Sequence, residues 1–275
     1  MIIEIAPAIY TVDHAVAEGK NAIIVGQRAA WAVDAGTHAH EGQEMADFIC
    51  SLGRAANRLI YTHGHNDHVL GSAVFCGGEV VAHDLMPAVT RRLLPDMAAR
   101  VGASQEELAA RIAWPTITFS HEMSIDLGGR LLRLFPTPGH SQDGVSIYLE
   151  KERLLIAGDA VVTAIVPAIG DGDSRILQAT LEQLVEMEIE ILVPGHGEVV
   201  VGQAAARDWL RWISNYLAGV RAAVRTALER NVPPDAIAES IEFDRFVGQR
   251  LPKERHKMLN RHYNTVQKII REELA

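Results

Sequence analysis

Between positions 62 and 71 the chain reads Thr62-His63-Gly64-His65-Asn66-Asp67-His68-Val69-Leu70-Gly71, directly after a short β-rich run at 58–61. Three imidazoles and a carboxylate therefore fall within six positions on a strand-loop-helix pattern. In an extended segment residues two apart face the same way, so His63 and His65 can grip one ion. If a helix starts near Asn66, Asp67 and His68 stand on its first turn and face a second position a few ångströms away. Neutral imidazole nitrogens and carboxylate oxygens are the donors that zinc takes in catalytic sites.

Three later positions extend the pattern. His140 lies in Pro136-Thr137-Pro138-Gly139-His140-Ser141, after a β-rich run at 130–135. Asp159 lies in Ile156-Ala157-Gly158-Asp159-Ala160, and His196 in Val193-Pro194-Gly195-His196-Gly197, each at the end of a further run. Each is a metal-type side chain at a strand terminus beside glycine, where a loop can carry it into a shared cleft.

The periodicity around these points predicts two series of short strands with helices between them. Strands are expected at 2–5, 9–12, 22–25, 30–33, 58–61 and 79–82, and again at 116–119, 124–126, 130–135, 146–149, 153–156 and 191–194. Helices are expected at about 42–52, within 84–113 and at 174–188, with Ser104 and Glu107 spaced as a capping box. Strand runs that alternate with helices in two similar halves imply two packed sheets with outer helices. From Gln203 onward only helical stretches remain, at about 203–230, 234–241 and 253–273, broken by Pro233-Pro234 and Pro252. The division is thus a catalytic domain at 1–202 and a helical extension at 203–275 packed on it.

Charge marks the same boundary. The 275 residues carry a net −9, with −13 in residues 1–202 and +4 in residues 203–275. The acidic balance argues against bulk nucleic-acid binding. No apolar stretch approaches membrane-span length and the first residues lack a leader pattern, so a cytoplasmic location is expected. Cys50 and Cys76 read as buried, reduced core thiols. Trp209, Trp212, Ile213 and Tyr216 recur at helical spacing and read as core packing. His38 and His40 read as rim residues, His256 and His262 as surface residues, and His14, His83 and His121 as structural or exposed.

The motif set His-x-His-x-Asp-His, Gly-His, Gly-Asp and Gly-His, in that order at 63–68, 140, 159 and 196, resembles the metallo-β-lactamase superfamily over roughly residues 1–202. The resemblance implies an α/β fold, the αβ/βα sandwich of two mixed sheets with outer helices and metals at one edge. Carried over by position, His63, His65 and His140 would hold a first metal. Asp67, His68 and His196 would hold a second, with Asp159 bridging and Asp34 orienting a ligand from behind. Two Zn2+ per chain are implied, with Mn2+, Fe2+ or Co2+ suited to the same donors. The activity implied is hydrolysis of an ester, thioester, lactone or amide of a small molecule by a metal-bridging hydroxide, with Asp67 orienting the nucleophile or passing its proton to the leaving group. Phosphodiesterase or nuclease activity, and a mononuclear iron dioxygenase like those acting on persulfides, are the alternatives on the same scaffold. The apolar segment 163–173 after Asp159 is expected to line the cleft, which points to a partly apolar substrate. A homodimer is expected from superfamily habit and the aromatic tail.

Overall fold

The computed structural model describes residues 1–14, 16–248, 250–251 and 257–275. Its first half is a seven-stranded sheet in sequence order: β1 (Ile2–Ala6), β2 (Ile9–His14), β3 (Gly19–Val25), β4 (Ala30–Val33), β5 (Arg58–Ile60), β6 (Glu79–His83) and β7 (Ile117–Phe119). β1 to β4 pair antiparallel through tight turns, and β4 to β7 run parallel. Parallel neighbours require crossovers. All three carry helices: α1 (Ala39–Ser51) lies in the first and the short α2 (Asn66–Val69) in the second. The third carries α3 (Met86–Val101) and α4 (Gln105–Ala109). Ser104 and Glu107 make the expected reciprocal cap on α4.

The second sheet has the order β13-β12-β11-β10-β9-β8, from β8 (Met123–Asp126), β9 (Leu131–Pro136), β10 (Val145–Leu149), β11 (Leu154–Ile156), β12 (Ile191–Val193) and β13 (Val200–Val201). The parallel β11–β12 pair is joined through α5 (Ser174–Val185). After β13 come α6 (Gln203–Glu229), α7 (Pro234–Ser240), α8 (Phe243–Phe246) and α9 (Met258–Leu274).

Period-two alternation sorts the strand residues into three layers. Ile24, Trp31, Val33 and Ile60 of the first sheet meet Leu134, Ile147, Leu154 and Val193 of the second in the central core. The opposite face of the first sheet, with Ile23, Leu59 and Val80, packs under Met45 and Ile49 of α1 and Met86 and Met97 of α3. The opposite face of the second, with Tyr148, Leu155 and Leu192, packs under Leu177 and Leu181 of α5. α6 joins that layer because Ala206, Leu210, Ile213, Leu217, Val220 and Val224 repeat every three or four residues along one stripe. Each such leucine or valine contributes about 1.5–3 kcal/mol by leaving water.

Several sequence expectations are corrected here. Cys50 and Cys76 are exposed. The buried stripe of α1 runs through Gly42, Met45, Ala46 and Ile49, which turns Cys50 to the solvent side. His262 is buried, because α9 packs its stripe of Met258, His262, Val266, Ile269 and Ile270 inward. The Tyr216 hydroxyl meets His262 Nδ1 at 2.9 Å, and His262 Nε2 lies 2.9 Å from the Ile241 carbonyl. His256 lies outside the described residues. Trp209 stands edge-on to Trp212 with ring centres 5.4 Å apart, and the Arg250 guanidinium caps Trp209 at 3.9 Å. Among the described residues no helix is long and apolar enough to cross a membrane.

Candidate metal centre

The seven candidate ligands and Asp34 emerge at one edge of the sandwich, where β4, β5, β9, β11 and β12 end. β4 and β5 are parallel, so Asp34, just past β4, lies beside Thr62, just past β5. Asp34 accepts the Thr62 N–H at 2.8 Å and the Thr62 hydroxyl at 2.6 Å. It also accepts Nδ1–H of His68 at 2.8 Å. That last bond fixes the tautomer and turns Nε2 of His68 inward. Asp34 does this from a left-handed backbone, φ 57°, which aspartate tolerates better than most residues.

The other imidazoles are held the same way. His140 Nδ1–H donates to the Ala168 carbonyl at 2.6 Å, and His196 Nδ1 lies 3.2 Å from the Ala17 carbonyl. Both therefore aim Nε2 at the centre. Three triads have donor atoms mutually within 4.8 Å: His63, His65 and His140; Asp67, His68 and His196; and, joining them, His63, His68 and Asp159. The Asp159 carboxylate lies between the groups. Its Oδ2 is 3.4 Å from His140 Nε2 and 3.3 Å from His196 Nε2, and its Oδ1 is 3.4 Å from His68 Nε2. Gly195 makes this approach possible, since a Cβ there would stand 1.9 Å from Asp159 Oδ1.

The donor atoms fit a cation. Nε2 of His63, Nε2 of His68 and Oδ1 of Asp159 are buried without a hydrogen-bond partner among the described residues. Such atoms cost about 1–3 kcal/mol each when nothing binds them. His65 Nδ1 also faces His140 Nε2 at 2.9 Å, and the latter nitrogen carries a lone pair because the proton is on Nδ1.

Protonation divides the cluster. Burial drives His63 well below its ordinary value and His140 to about 4. Burial also opposes charge on His68, but the carboxylates of Asp34 and Asp159 hold it well above. His196 is desolvated too, and Asp159 and Asp67 lift it to about 9. Burial alone would raise the carboxyls, yet the neighbouring imidazoles hold Asp67 and Asp159 low.

A family model described as the metallo-beta-lactamase superfamily matches residues 19–196. The chain belongs to the metallo-beta-lactamase superfamily. This superfamily member is similar to the linear primary-alkylsulfatase of Pseudomonas sp. (strain ATCC 19151), 22% identical over 87% of this chain and 52% of that protein. It is also similar to the hydroxyacylglutathione hydrolase of Methylobacterium sp. (strain 4-46), 26% identical over 52% of this chain and 49% of that one. It spans about half the length of the curated relatives it matches. A metallo-beta-lactamase family protein from Thermus thermophilus shares the fold, with a TM-score of 0.70, 18% identity, and cover of 99% of this chain and 96% of that one.

Sequence reasoning missed several residues around the superfamily motif. Asp143, fully buried, accepts the Gly64 N–H at 2.8 Å and steadies the histidine loop from 79 positions away. Asp171 lies 3.4 Å from His65 Nε2 and pairs with Arg92 at 2.6 Å. His14, 5% exposed, stands edge-on to His68 and His196 with ring centres 6.2 and 5.9 Å away. None belongs to a local motif; only Asp143, in Gln142-Asp143-Gly144 just after the Gly-His element, carried a turn signal. His38 and His40 stack on each other at the start of α1 with exposed side chains.

The segment after Asp159 reaches the cleft as expected, but not through its large apolar residues. Ile165 and Val166 pack into the core shared with α6 and α9, and Ile169, part of the same core, borders the adjoining cavity along α9. The segment presents Ala168, Gly170 and Asp171 to the cleft instead. This stretch of wall is small-residue with one carboxylate, because Ile165 and Val166 are used to seat the C-terminal helices.

Proposed function

We propose that this chain is a di-metal hydrolase that cleaves an ester, thioester, lactone or amide bond of a small molecule. The convergence of seven donor side chains, three of them with buried and unpartnered donor atoms, carries this reading. His63, His65 and His140 would hold one cation, and Asp67, His68 and His196 the other, with Asp159 between them. The donor set suits zinc, and Mn2+, Fe2+ or Co2+ fit the same nitrogen and oxygen donors. Such ions supply Lewis acidity and bring the pKa of bound water from about 15.7 toward neutrality.

The protein supplies position and proton traffic. Asp34, the Ala168 carbonyl and the Ala17 carbonyl each hold one Nδ1, so three Nε2 atoms are aimed before any ligand arrives. That preorganisation removes a reorganisation cost from the reaction. Asp67 is the carboxylate among these donors with the most open side chain, 15% exposed. It lines the cleft, where it can orient the nucleophile or pass its proton to the leaving group. Ser146 is buried and bonded to Thr137 inside the sandwich, so it is no nucleophile. The exposed free thiols of Cys50 and Cys76 support a reducing, cytoplasmic setting.

A metal-defined screen over p-nitrophenyl esters, thioesters, lactones, β-lactams and bis-phosphodiesters tests the reading. Asp67→Ala is expected to lower kcat by about 100-fold or more, the range for a positioned acid–base group. Unchanged turnover in that variant would defeat the proposal, and turnover confined to the phosphodiesters would replace the ester reading.

A further inference from the structure

The cleft over the metal centre measures about 620 Å³ and runs between α3 and α9. Beyond the donor residues, the charged groups that line it among the described residues are Arg92, Arg100, Lys257 and Arg261, against Asp96 and Asp171. Asp171 is already engaged by Arg92 at 2.6 Å. With that pair set aside, three cations, Arg100, Lys257 and Arg261, stand against the single carboxylate of Asp96 among the described lining residues, in a chain whose net charge is −9. An excess of one charge sign in a cleft with low-dielectric walls concentrates counter-charged ligands.

The cleft also continues past its own mouth. A second cavity of about 410 Å³ shares Ala168, Gly170, Lys257 and Arg261 with it and extends along α9 to Asn264. Lys257 and Arg261 thus stand where the two spaces join. Their placement runs against local preference. The first turn of α9 holds no acidic residue, although the positive end of a helix favours one, and two cations crowd it instead. Lys257 moreover takes a left-handed backbone, φ 65°, an uncommon conformation for a long side chain and one that persists where the surroundings or a function require it.

We propose that Lys257 and Arg261, with Arg100 across the cleft, bind an oxyanionic substituent of the substrate, a carboxylate or phosphate several bonds from the scissile bond. The substrate lies with its reacting group over the metal centre and its anion at the junction of the two cavities. This rests on the hydrolase reading and adds the class of substrate to it.

Two matched pairs test it on the metal-loaded enzyme. One is p-nitrophenyl butyrate against p-nitrophenyl hemiglutarate, which adds a carboxylate. The other is S-butyryl pantetheine against S-butyryl phosphopantetheine, which adds a phosphate. In each productive pair the anionic member should have the higher kcat/KM, and added salt should narrow the gap. Arg261→Gln and Lys257→Gln should each shrink the ratio within a pair by about tenfold through KM, the factor for one charge-assisted contact. Arg100→Gln, on a different element, should act in the same direction and guards against a folding defect in α9. The pair that shows the effect tells carboxylate from phosphate. A ratio near one in the native enzyme, or a ratio untouched by all three variants, overturns the proposal. Should no ester turn over, the hydrolase reading falls separately. Calorimetric titration with the S-butyl thioethers of pantetheine and phosphopantetheine then decides the anion site by itself: tighter binding of the phosphate form, lost in Arg261→Gln, sustains it, and equal binding rejects it.

Discussion

Replacing Asp34 removes the support behind His68 without touching a donor atom. Asp34 accepts three hydrogen bonds, from the Thr62 N–H, the Thr62 hydroxyl and His68 Nδ1–H, all at 2.6–2.8 Å, and is 1% exposed. Asp34→Ala leaves three buried donors unmade at about 1–3 kcal/mol each. The total is on the order of 3–6 kcal/mol once water entry and non-additivity are allowed for, against a stability of about 5–15 kcal/mol for a whole protein. That variant is expected to express poorly and melt early. Asp34→Asn keeps the shape and one acceptor oxygen but withdraws the charge that holds His68 in place. Lost partners of this kind weaken metal affinity by about 10–100-fold, which is roughly 1.4–2.8 kcal/mol. Competition with a chromophoric chelator reads the effect directly. The cation of the second group should weaken more than the other, because Asp34 touches His68 directly and reaches His63 only through the Thr62 hydroxyl, 3.1 Å from His63 Nδ1. Native affinity for both cations in Asp34→Asn, together with native melting in Asp34→Ala, would refute the reasoning.

Chelation should lower the melting temperature: a cation at a thousand times its Kd adds about 4 kcal/mol to the folded state, or roughly 10 °C for a chain of this size. Equal melting with and without chelator, followed by calorimetry, would show that no cation is held. His14 buries both ring nitrogens without a partner among the described residues, so His14→Phe should leave the metal-free protein as stable or raise it by about 1 kcal/mol. A clear fall in its melting temperature would mean that water or another group satisfies those nitrogens. His262 is held below its ordinary value by burial, although its bond to the Ile241 carbonyl works the other way. The unfolded chain then binds more protons than the native one between the depressed pKa and about 6.5. The contribution of His262 is complete above about 6.5 and is lost as pH falls through that window. Hydrogen exchange should show α9 opening more readily at the acid end, and His262→Phe should flatten that response.

The donor residues were legible in the sequence because a metal demands particular atom types, and a strand-loop-helix pattern delivers them within a few positions. The layers were legible for a similar reason, since periods of two and three to four report which face meets the core. What stayed hidden depends on contacts between distant segments. Asp143 reaches Gly64 across 79 positions, and Arg92 meets Asp171 across the same separation. Burial of the 163–173 segment could not be read before the landing place of α6 and α9 was known, because an apolar run serves a cleft wall and a helix seat equally well. The cysteines failed by one step around α1, where a residue beside a buried stripe looks like a member of it.

The C-terminal helices were legible as helices and hidden as a wall, and the contacts that fix α9 explain the difference. At one end Glu273 receives Arg175 at 2.8 Å and Arg225 at 2.7 Å, binding α9 to α5 and α6. Arg221, nearly buried, donates to Ser174 Oγ at 2.8 Å and Gln178 Oε1 at 2.7 Å in the same seam. Midway, His262 is bonded to Tyr216 on one ring nitrogen and the Ile241 carbonyl on the other. Thr265 donates to the Pro167 carbonyl at 2.8 Å, which ties the helix to the segment that follows Asp159. A rod pinned at its end and along one side cannot roll. Lys257 and Arg261 are therefore presented at the cleft by a polar seam assembled from four distant parts of the chain, and each part alone reads as an ordinary charged or capping residue.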